Sequence, residues 1–200
     1  MHLSSSRPLV LGSTSVYRRN LLERLRIPFT VVAPDVDETP QPGESPARLA
    51  QRLALAKAQA VARLHPGSVV IGSDQVADFH GESLGKPGDH VRAVAQLQKM
   101  RGHTVTFQTA VAVVCQDSGF CQEALAPVRV QFRQLSDAEI EHYLLAETPY
   151  DCAGSAKSEG LGVTLLSAID NDDPTALVGL PLIRTCSLLR AAGIPLLGSL

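Results

Sequence analysis

The stretch Val69-Val70-Ile71-Gly72-Ser73-Asp74-Gln75-Val76 constrains this fold more than any other. Val69, Val70 and Ile71 are consecutive β-branched residues, the pattern of a strand buried on both faces. The run opens at Gly72-Ser73 and then presents Asp74. A carboxylate where a buried strand ends is costly unless its charge is used. Such an acid serves a metal ion, a proton transfer or a turn cap, and this stretch alone leaves all three open.

The segments before it alternate strand and helix. Pro8-Leu9-Val10-Leu11 reads as a short strand running into Gly12-Ser13-Thr14-Ser15. Residues 17–25 then read as an amphipathic helix with Leu21, Leu22 and Leu25 on one face. Ser13 and Ser15 sit where a helix start leaves backbone N–H groups free to meet an anion, and Arg18 and Arg19 add forked donors one turn inside. The same residues also suit an ordinary N-capped helix with exposed arginines. Residues 29–33 read as a second strand, followed by Asp35, Asp37 and Glu38. These acids form either a cation site or a solvated loop. Pro40, Pro42, Gly43 and Pro46 make a stiff connector. Ser45 reads as an N-cap with Pro46 at the first helical position. That helix runs to about residue 64, with Leu49, Leu53, Ala56, Ala60 and Leu64 as its apolar stripe. Arg52 and Lys57 fall off the stripe, toward a cleft or toward water.

Beyond the central stretch, residues 76–82 read as a strand leading into a turn. In Gly85-Lys86-Pro87 the glycine lets the main chain approach a ligand while the lysine pairs with it; an exposed turn reads the same way. Asp89 caps a helix over 91–100, with Val94 and Leu97 inward. Residues 104–114 and 128–133 read as long antiparallel neighbours. Ser136-Asp137-Ala138-Glu139 is a capping box, with Leu135 and Ile140 as a hydrophobic staple. The Gly-rich loop 151–162 brings Lys157 near Glu159 and suits either a ligand lining or an exposed turn. Residues 163–169 read as a strand. A last helix over about 182–192 turns Leu182, Ile183, Cys186 and Leu189 inward. Early alternation and late antiparallel strands predict a mixed α/β fold. Its core is a central mixed, largely antiparallel sheet flanked by helices, in two lobes around a cleft.

The chain of 200 residues suits a single domain over 1–200, with 1–7 as a flexible tail. A net charge of −2 gives no broad basic field, which argues against a duplex nucleic-acid partner. No apolar run is long enough to span a bilayer, and the first residues lack a signal peptide's apolar core. A cytoplasmic location with no membrane partner is expected. Cys115, Cys121, Cys152 and Cys186 form no C-x-x-C unit and read as small buried thiols, the first two close together across a hairpin loop. The histidines, from His2 in the tail to His142, show no ligand spacing and read as surface or loop residues.

Together these weak signals share a chemistry. Arg18, Arg19, Lys57 and Lys86 can neutralise a polyphosphate. Glu38 and Asp74 can hold a divalent cation and a water, and the loop from Ser13 to Ser15 supplies backbone donors. Phosphoryl chemistry needs these parts. The sequence has no G-x-x-x-x-G-K-[ST] and no G-x-S-x-G, so neither a P-loop enzyme nor a nucleophile-elbow hydrolase is indicated.

Along nearly its whole length the chain resembles the Maf-like nucleotide pyrophosphatases. The carriers are Leu11-Gly12-Ser13-Thr14-Ser15 with Arg18-Arg19, Asp37-Glu38-Thr39, Arg52-Leu53-Ala54 with Lys57-Ala58, and Gly72-Ser73-Asp74-Gln75-Val76. Gly85-Lys86-Pro87, Ala153-Gly154-Ser155 and Val178-Gly179-Leu180-Pro181-Leu182 complete the set. Tyr17, Gln75 and Lys157-Ser158-Glu159-Gly160 look most like the 7-methyl-GTP pyrophosphatase branch. The resemblance implies an ITPase/Maf-like fold and a divalent metal cation (Mg²⁺, Mn²⁺ or Co²⁺). It implies a nucleoside triphosphate cleaved between its α and β phosphates, house-cleaning of modified nucleotides, and a homodimer. It makes Asp74 the catalytic acid/base and Glu38 with Asp74 the metal site. Ser13, Ser15, Arg18, Arg19, Lys57 and Lys86 become phosphate contacts, and Tyr17, Gln75 and Glu159 set base choice. The chemistry agrees, because N7-methylation makes guanine cationic. Glu159 can accept from its N1–H and N2–H edge, and the Tyr17 ring can stack on it with a cation–π gain of about 0.5–2 kcal/mol. The chain departs from the family where Val16 replaces a usual Pro and Ala56 a usual Glu. Two other readings remain beside this one: a pyrophosphatase for dTTP, UTP or other modified nucleotides, and a nucleotide-binding cell-division regulator without turnover.

Overall fold

The β-branched run does not stop at Gly72. The computed structural model, which describes residues 7–197, extends it as one strand, β3 (Val69–Phe79). β1 (Leu9–Gly12) lies parallel to its first residues, with Leu9 opposite Val69 and Gly12 opposite Gly72. β2 (Thr30–Val32) lies parallel outside β1. On the other side of β3, β5 (Thr104–Cys115) runs antiparallel from Val70–Val114 to Asp78–Thr106. β6 (Phe120–Phe132) and β7 (Leu166–Asp170) continue antiparallel. β4 (Glu82–Leu84) folds back on the end of β3, with Leu84 opposite Ala77. The seven-stranded order is β2-β1-β3-β5-β6-β7, with β4 on β3. This is the mixed, largely antiparallel sheet that the sequence predicts.

One edge of β3 thus pairs with β1 up to Gly72 and with β4 from Ala77. Residues 73–76 face a gap between the two. Asp74 therefore lies in mid-strand, not at a strand end; its neighbours stop, while its own strand continues.

α2 (Pro46–Leu64) covers one face of the sheet. Ser45 caps it by accepting from the Arg48 N–H, with Pro46 in its first turn. Its buried row is Leu49, Ala50, Leu53, Ala54, Lys57, Ala58, Val61 and Ala62. The expected stripe is turned: Ala56 and Ala60 are only half-buried and Leu64 is 71% exposed. The reason is Gly72, where an added Cβ would lie 2.3 Å from the Ala54 carbonyl oxygen and 2.5 Å from Ala58 N. The helix rests on bare strand backbone, so its small residues, not the leucine period, decide which row faces β3.

α1 (Val16–Glu23) and α5 (Leu182–Ala191) cover the opposite face, where Leu21, Leu22 and Leu189 pack with Leu9, Leu11, Ile71 and Val113. α5 buries Leu182, Thr185, Leu188 and Leu189, whereas Ile183, expected inward, is 55% exposed and Cys186 is half-buried. Thr185 can take the inner position because its hydroxyl donates to the Pro181 carbonyl at 2.7 Å. A further cluster joins α3 (His90–Met100) and α4 (Asp137–Glu147) to the far ends of the long strands, through Leu97, Met100, Phe107, Phe132, Ile140 and Leu144. Along the face of β3 that carries Val69, Ile71, Ala77 and Phe79, the packing changes cluster between Ile71 and Ala77, which marks off the two expected lobes.

The capping box at Ser136 forms, and Leu135 and Ile140 are both buried. β6 begins at Phe120, because its poorly alternating first half pairs with β5 all along. Residues 161–165 form a 3-10 turn ahead of β7. Cys121 lies opposite Val114 and Cys115 opposite Phe120. All four cysteines are free; only Cys115 is buried, Cys121 is exposed, and Cys152 and Cys186 are half-buried. Most of the expected tail over 1–7, with His2, lies outside the described residues. Among the described residues no helix is long and apolar enough to cross a membrane.

Candidate active site

Side chains alternate along β3, so the gap has two differently furnished sides. Val70, Gly72, Asp74 and Val76 face α2. Ser73 and Gln75 face the 3-10 turn Ala176–Val178.

On the α2 side, the close approach at Gly72 brings Lys57 to Asp74. The Lys57 Nζ lies 2.6 Å from Asp74 Oδ1 and 2.7 Å from Glu38 Oε1. Lys57 is 5% exposed and Asp74 7%, so each holds the other's charge out of water. Lys57 does not fall off the stripe as its period suggests. Its stem packs within the buried row and its head meets the acids. Glu38 is exposed and reaches in from the rim.

Arg52 does not enter the cleft. It grips Glu44 through Nε at 2.6 Å and Nη2 at 2.8 Å, and donates to the Thr39 carbonyl at 3.0 Å. This forked pair fastens the proline-rich connector to α2, and the Arg52 hydrogen bond holds the Glu44 carboxyl down at about 2. Asp37 accepts from the Thr39 N–H at 2.9 Å, the geometry of a turn cap.

Arg18 enters from α1. Its Nε donates to the Gly179 carbonyl at 2.9 Å, and the buried Ser73 hydroxyl lies 2.9 Å from the same oxygen and 2.7 Å from the Ala110 carbonyl. Gly179 has φ +112°, a conformation that favours glycine and that aims this carbonyl. Burial pulls the Arg18 pKa down, against the charges of Asp74 and Glu38. Burial pushes the Glu38 carboxyl up, but the Lys57 hydrogen bond and the charges of Lys57, Lys86 and Arg18 outweigh it and leave it below the usual range. Arg18, Glu38, Lys57, Asp74 and the exposed Lys86 therefore share one electrostatic neighbourhood.

Arg19 is engaged elsewhere, paired with Glu23 at 3.1 Å on the exposed face of α1. Ser13 is buried and accepts from the Ser15 N–H at 3.1 Å, while the Ser15 hydroxyl accepts from the Arg18 N–H at 3.4 Å as the N-cap. Both hydroxyls shape the turn, and the helix's first N–H groups are the ones available to an anion. Val16, at the first helical position, is 54% exposed.

A second group gathers around Tyr17. Burial raises its phenol pKa, helped by Cys152, Asp151 and Glu159. Burial, with the charges of Asp151 and Glu159, likewise pushes the Cys152 thiol up to about 12. Both groups stay neutral at neutral pH beside carboxylates. Cys152 is a member of this group that no local sequence pattern reports. Lys157 is withdrawn from the expected lining: its Nζ lies 2.6 Å from Glu147 Oε1, and Glu147 Oε2 accepts from the Leu161 N–H at 2.7 Å. Gln75 lies on the sheet face opposite Asp74, and its amide nitrogen meets Thr109 Oγ1 at 2.8 Å and the Ala176 and Leu177 carbonyls at 3.0 Å. Thr109, Ser73 and the Gly179 carbonyl are supporting groups that the sequence pattern does not reveal, because their partners are far away in the chain.

Among the described residues no three His, Cys, Asp or Glu side chains gather as a resident metal site. Two carboxylates, Glu38 and Asp74, converge. A hard divalent cation commonly takes one or two protein carboxylates plus substrate phosphate oxygens, so this donor set fits a cation that arrives with a polyphosphate. Two surface cavities, of about 370 and 390 Å³, lie elsewhere, near Phe120 and near Phe29, and neither is lined by a residue of this cluster.

The chain is 73% identical over 192 residues to a 7-methyl-GTP pyrophosphatase of a Polaromonas species, covering 96% of this chain and 88% of that protein. It is 70% identical to a protein of the same name from Albidiferax ferrireducens, covering 96% and 97%, and 59% identical to one from Burkholderia pseudomallei, covering 99% and 94%. A HAM1 protein structure from Coxiella burnetii aligns with a TM-score of 0.45 at 13% identity, over 64% of this chain and 74% of that one. The model of the Maf-like protein family matches residues 8–192, a span that holds β1 through α5 and every residue of the cluster around Asp74, and the chain belongs to that family.

Proposed function

We propose that this protein is a divalent-cation-dependent nucleotide pyrophosphatase that hydrolyses 7-methyl-GTP to 7-methyl-GMP and diphosphate. In this reading it removes a modified nucleotide from the cytoplasmic pool. The observation that carries it is the meeting of Asp74 and Glu38 on one ammonium, Lys57, within the field of Arg18 and Lys86. The name shared by its close relatives supports the choice of base.

In this mechanism Arg18, Lys57 and Lys86 neutralise the triphosphate, and the N–H groups at the start of α1 add donors. A divalent cation (Mg²⁺, Mn²⁺ or Co²⁺), when bound by Glu38 and Asp74, supplies further neutralisation of the phosphate oxygens. Lys57 holds Asp74 Oδ1, which leaves Oδ2 to take a proton from the attacking water. A positioned general base of this kind contributes about 10²–10⁴ in rate. The bond between the α and β phosphates breaks, and pyrophosphate leaves. Tyr17 stacks on the cationic base while Glu159 accepts from its N1–H and N2–H edge. Gln75 acts on base choice by holding the turn at Ala176. Glu38 and Asp74 hold Lys57 without the acid that Ala56 lacks. The active form is a homodimer, which a sizing column checks.

The deciding experiment is pyrophosphate release from 7-methyl-GTP, GTP, UTP and dTTP, with Mg²⁺, Mn²⁺, Co²⁺ or a chelator. The expected result is fastest release from 7-methyl-GTP and none with chelator. An equal rate on dTTP would defeat the base assignment. No release above an Asp74→Asn control would favour the non-catalytic regulator.

A further inference from the structure

The Lys86 loop and the Glu159 loop come from distant parts of the chain, yet one side chain ties them. Gln96, on α3, donates through Nε2 to the Gly85 carbonyl at 3.0 Å and accepts from the Ser155 hydroxyl at Oε1, at 2.6 Å. Gly85 immediately precedes Lys86. Ser155 closes the 3-10 turn Ala153–Ser155, between Cys152 and Glu159. Two main-chain bonds run beside this tie: Gly154 N–H to the Gly85 carbonyl at 3.4 Å, and Gly88 N–H to the Tyr150 carbonyl at 3.0 Å.

Ser155 is wholly buried and has φ +56°. A side-chain-bearing residue is strained there and persists only where its surroundings over-determine it. The Tyr143 hydroxyl supplies part of that constraint, donating to the Ser155 carbonyl at 3.1 Å and accepting from the Lys157 N–H at 3.0 Å. Gly154, also left-handed at φ +66°, lies so close to Phe107 that a Cβ would sit 3.3 Å from the ring. These contacts fix the shape of the turn, and Gln96 joins it to the loop across from it. A primary amide suits that task because it carries a donor and an acceptor side by side.

We propose that Gln96 is a positioning residue that sets Lys86 and the 152–159 loop in one mutual arrangement, so that the phosphate end and the base end of the cleft are fixed together. This rests on the reading of the cleft as a pyrophosphatase site for a methylated guanine nucleotide. Gln96→Glu keeps the acceptor for Ser155 but loses the donor to Gly85, and so frees the Lys86 side alone. Gln96→Met frees both sides.

The experiment measures KM and kcat for 7-methyl-GTP and GTP in the wild type, Gln96→Met, Gln96→Glu and Ser155→Ala, and amide hydrogen exchange of each without nucleotide. In Gln96→Met, KM rises and selectivity for 7-methyl-GTP over GTP falls by about fivefold, the worth of the one hydrogen bond lost on the Ser155 side. In Gln96→Glu, KM rises and selectivity holds. In Gln96→Met the amides of Gly88 and Gly154 exchange faster together; in Ser155→Ala, a milder change if Gln96→Met does not fold, Gly154 and Gly88 also both speed up. Unchanged exchange at either loop, or an equal loss on both substrates that tracks only a lower melting temperature, overturns the proposal. Exchange needs no turnover, so an inactive wild type would count against the pyrophosphatase reading and leave the tie itself tested.

Discussion

Lys57 and Asp74 form a buried ion pair at 2.6 Å, and Glu38 closes on the same ammonium from the rim at 2.7 Å. A buried pair is worth little over an apolar substitute, but removing one partner leaves an uncompensated charge. Lys57→Met is therefore expected to lower stability by about 3–5 kcal/mol. The double variant Lys57→Met/Asp74→Asn recovers part of that loss. Urea unfolding of the two single variants and the double variant measures the coupling; purely additive losses would contradict it.

Gly72 sets the height of α2 above β3. Gly72→Ala places a methyl 2.3 Å from the Ala54 carbonyl oxygen, a contact only helix movement relieves. The expected cost is about 1–3 kcal/mol or more, and pyrophosphate release falls further than stability does because Lys57 retreats with the helix. A thermal melt and an activity assay at a temperature where the variant is folded check both parts.

Capping and turn chemistry are the parts of this fold that the sequence displays openly. Ser15, Ser45, Asp89 and Ser136 all cap the helices they precede, as short-range rules require. What local patterns cannot show is where a neighbouring strand stops. Asp74 reads as a strand end because Gly72 and Ser73 look like a break, whereas β1 is the strand that stops there. Lys57 reads as off-stripe because a cation on an apolar row looks wrong until Asp74 and Glu38 arrive from elsewhere. Arg19, Gln75 and Lys157 sit in motifs that point to the cleft, yet Glu23, the Ala176 turn and Glu147 engage them.

Tyr17 and Glu159 share the second cluster, and in the proposed binding mode a cationic base gains from both. Glu159→Gln keeps hydrolysis but loses preference for the methylated base. Tyr17→Ala lowers the ratio of kcat/KM for 7-methyl-GTP over GTP by about two- to thirtyfold, the range of a cation–π contact. Competition between the two nucleotides reads that ratio directly; an unchanged ratio in both variants contradicts the pocket.

Cys152 is expected to lower the stability of the fold at alkaline pH. Its thiol is raised from 9.0 to about 12, chiefly by burial, so above pH 9 the unfolded chain loses a proton that the folded chain keeps. Stability from this group is complete below pH 9 and is lost as pH rises toward 12. Wild-type stability should fall more steeply above pH 9 than that of Cys152→Ala. At pH 8, iodoacetamide should modify the exposed Cys121 well before Cys152.

In the proposed mechanism Asp74, held by Lys57, directs water to the bond between the α and β phosphates. Phosphorus NMR of 7-methyl-GTP turnover with Mg²⁺ reads out that step. The expected result is 7-methyl-GMP and pyrophosphate as the only products of the wild type, and at least about a hundredfold slower turnover by a folded Asp74→Asn variant. Orthophosphate as the first product, or an Asp74→Asn variant as fast as the wild type, would contradict it.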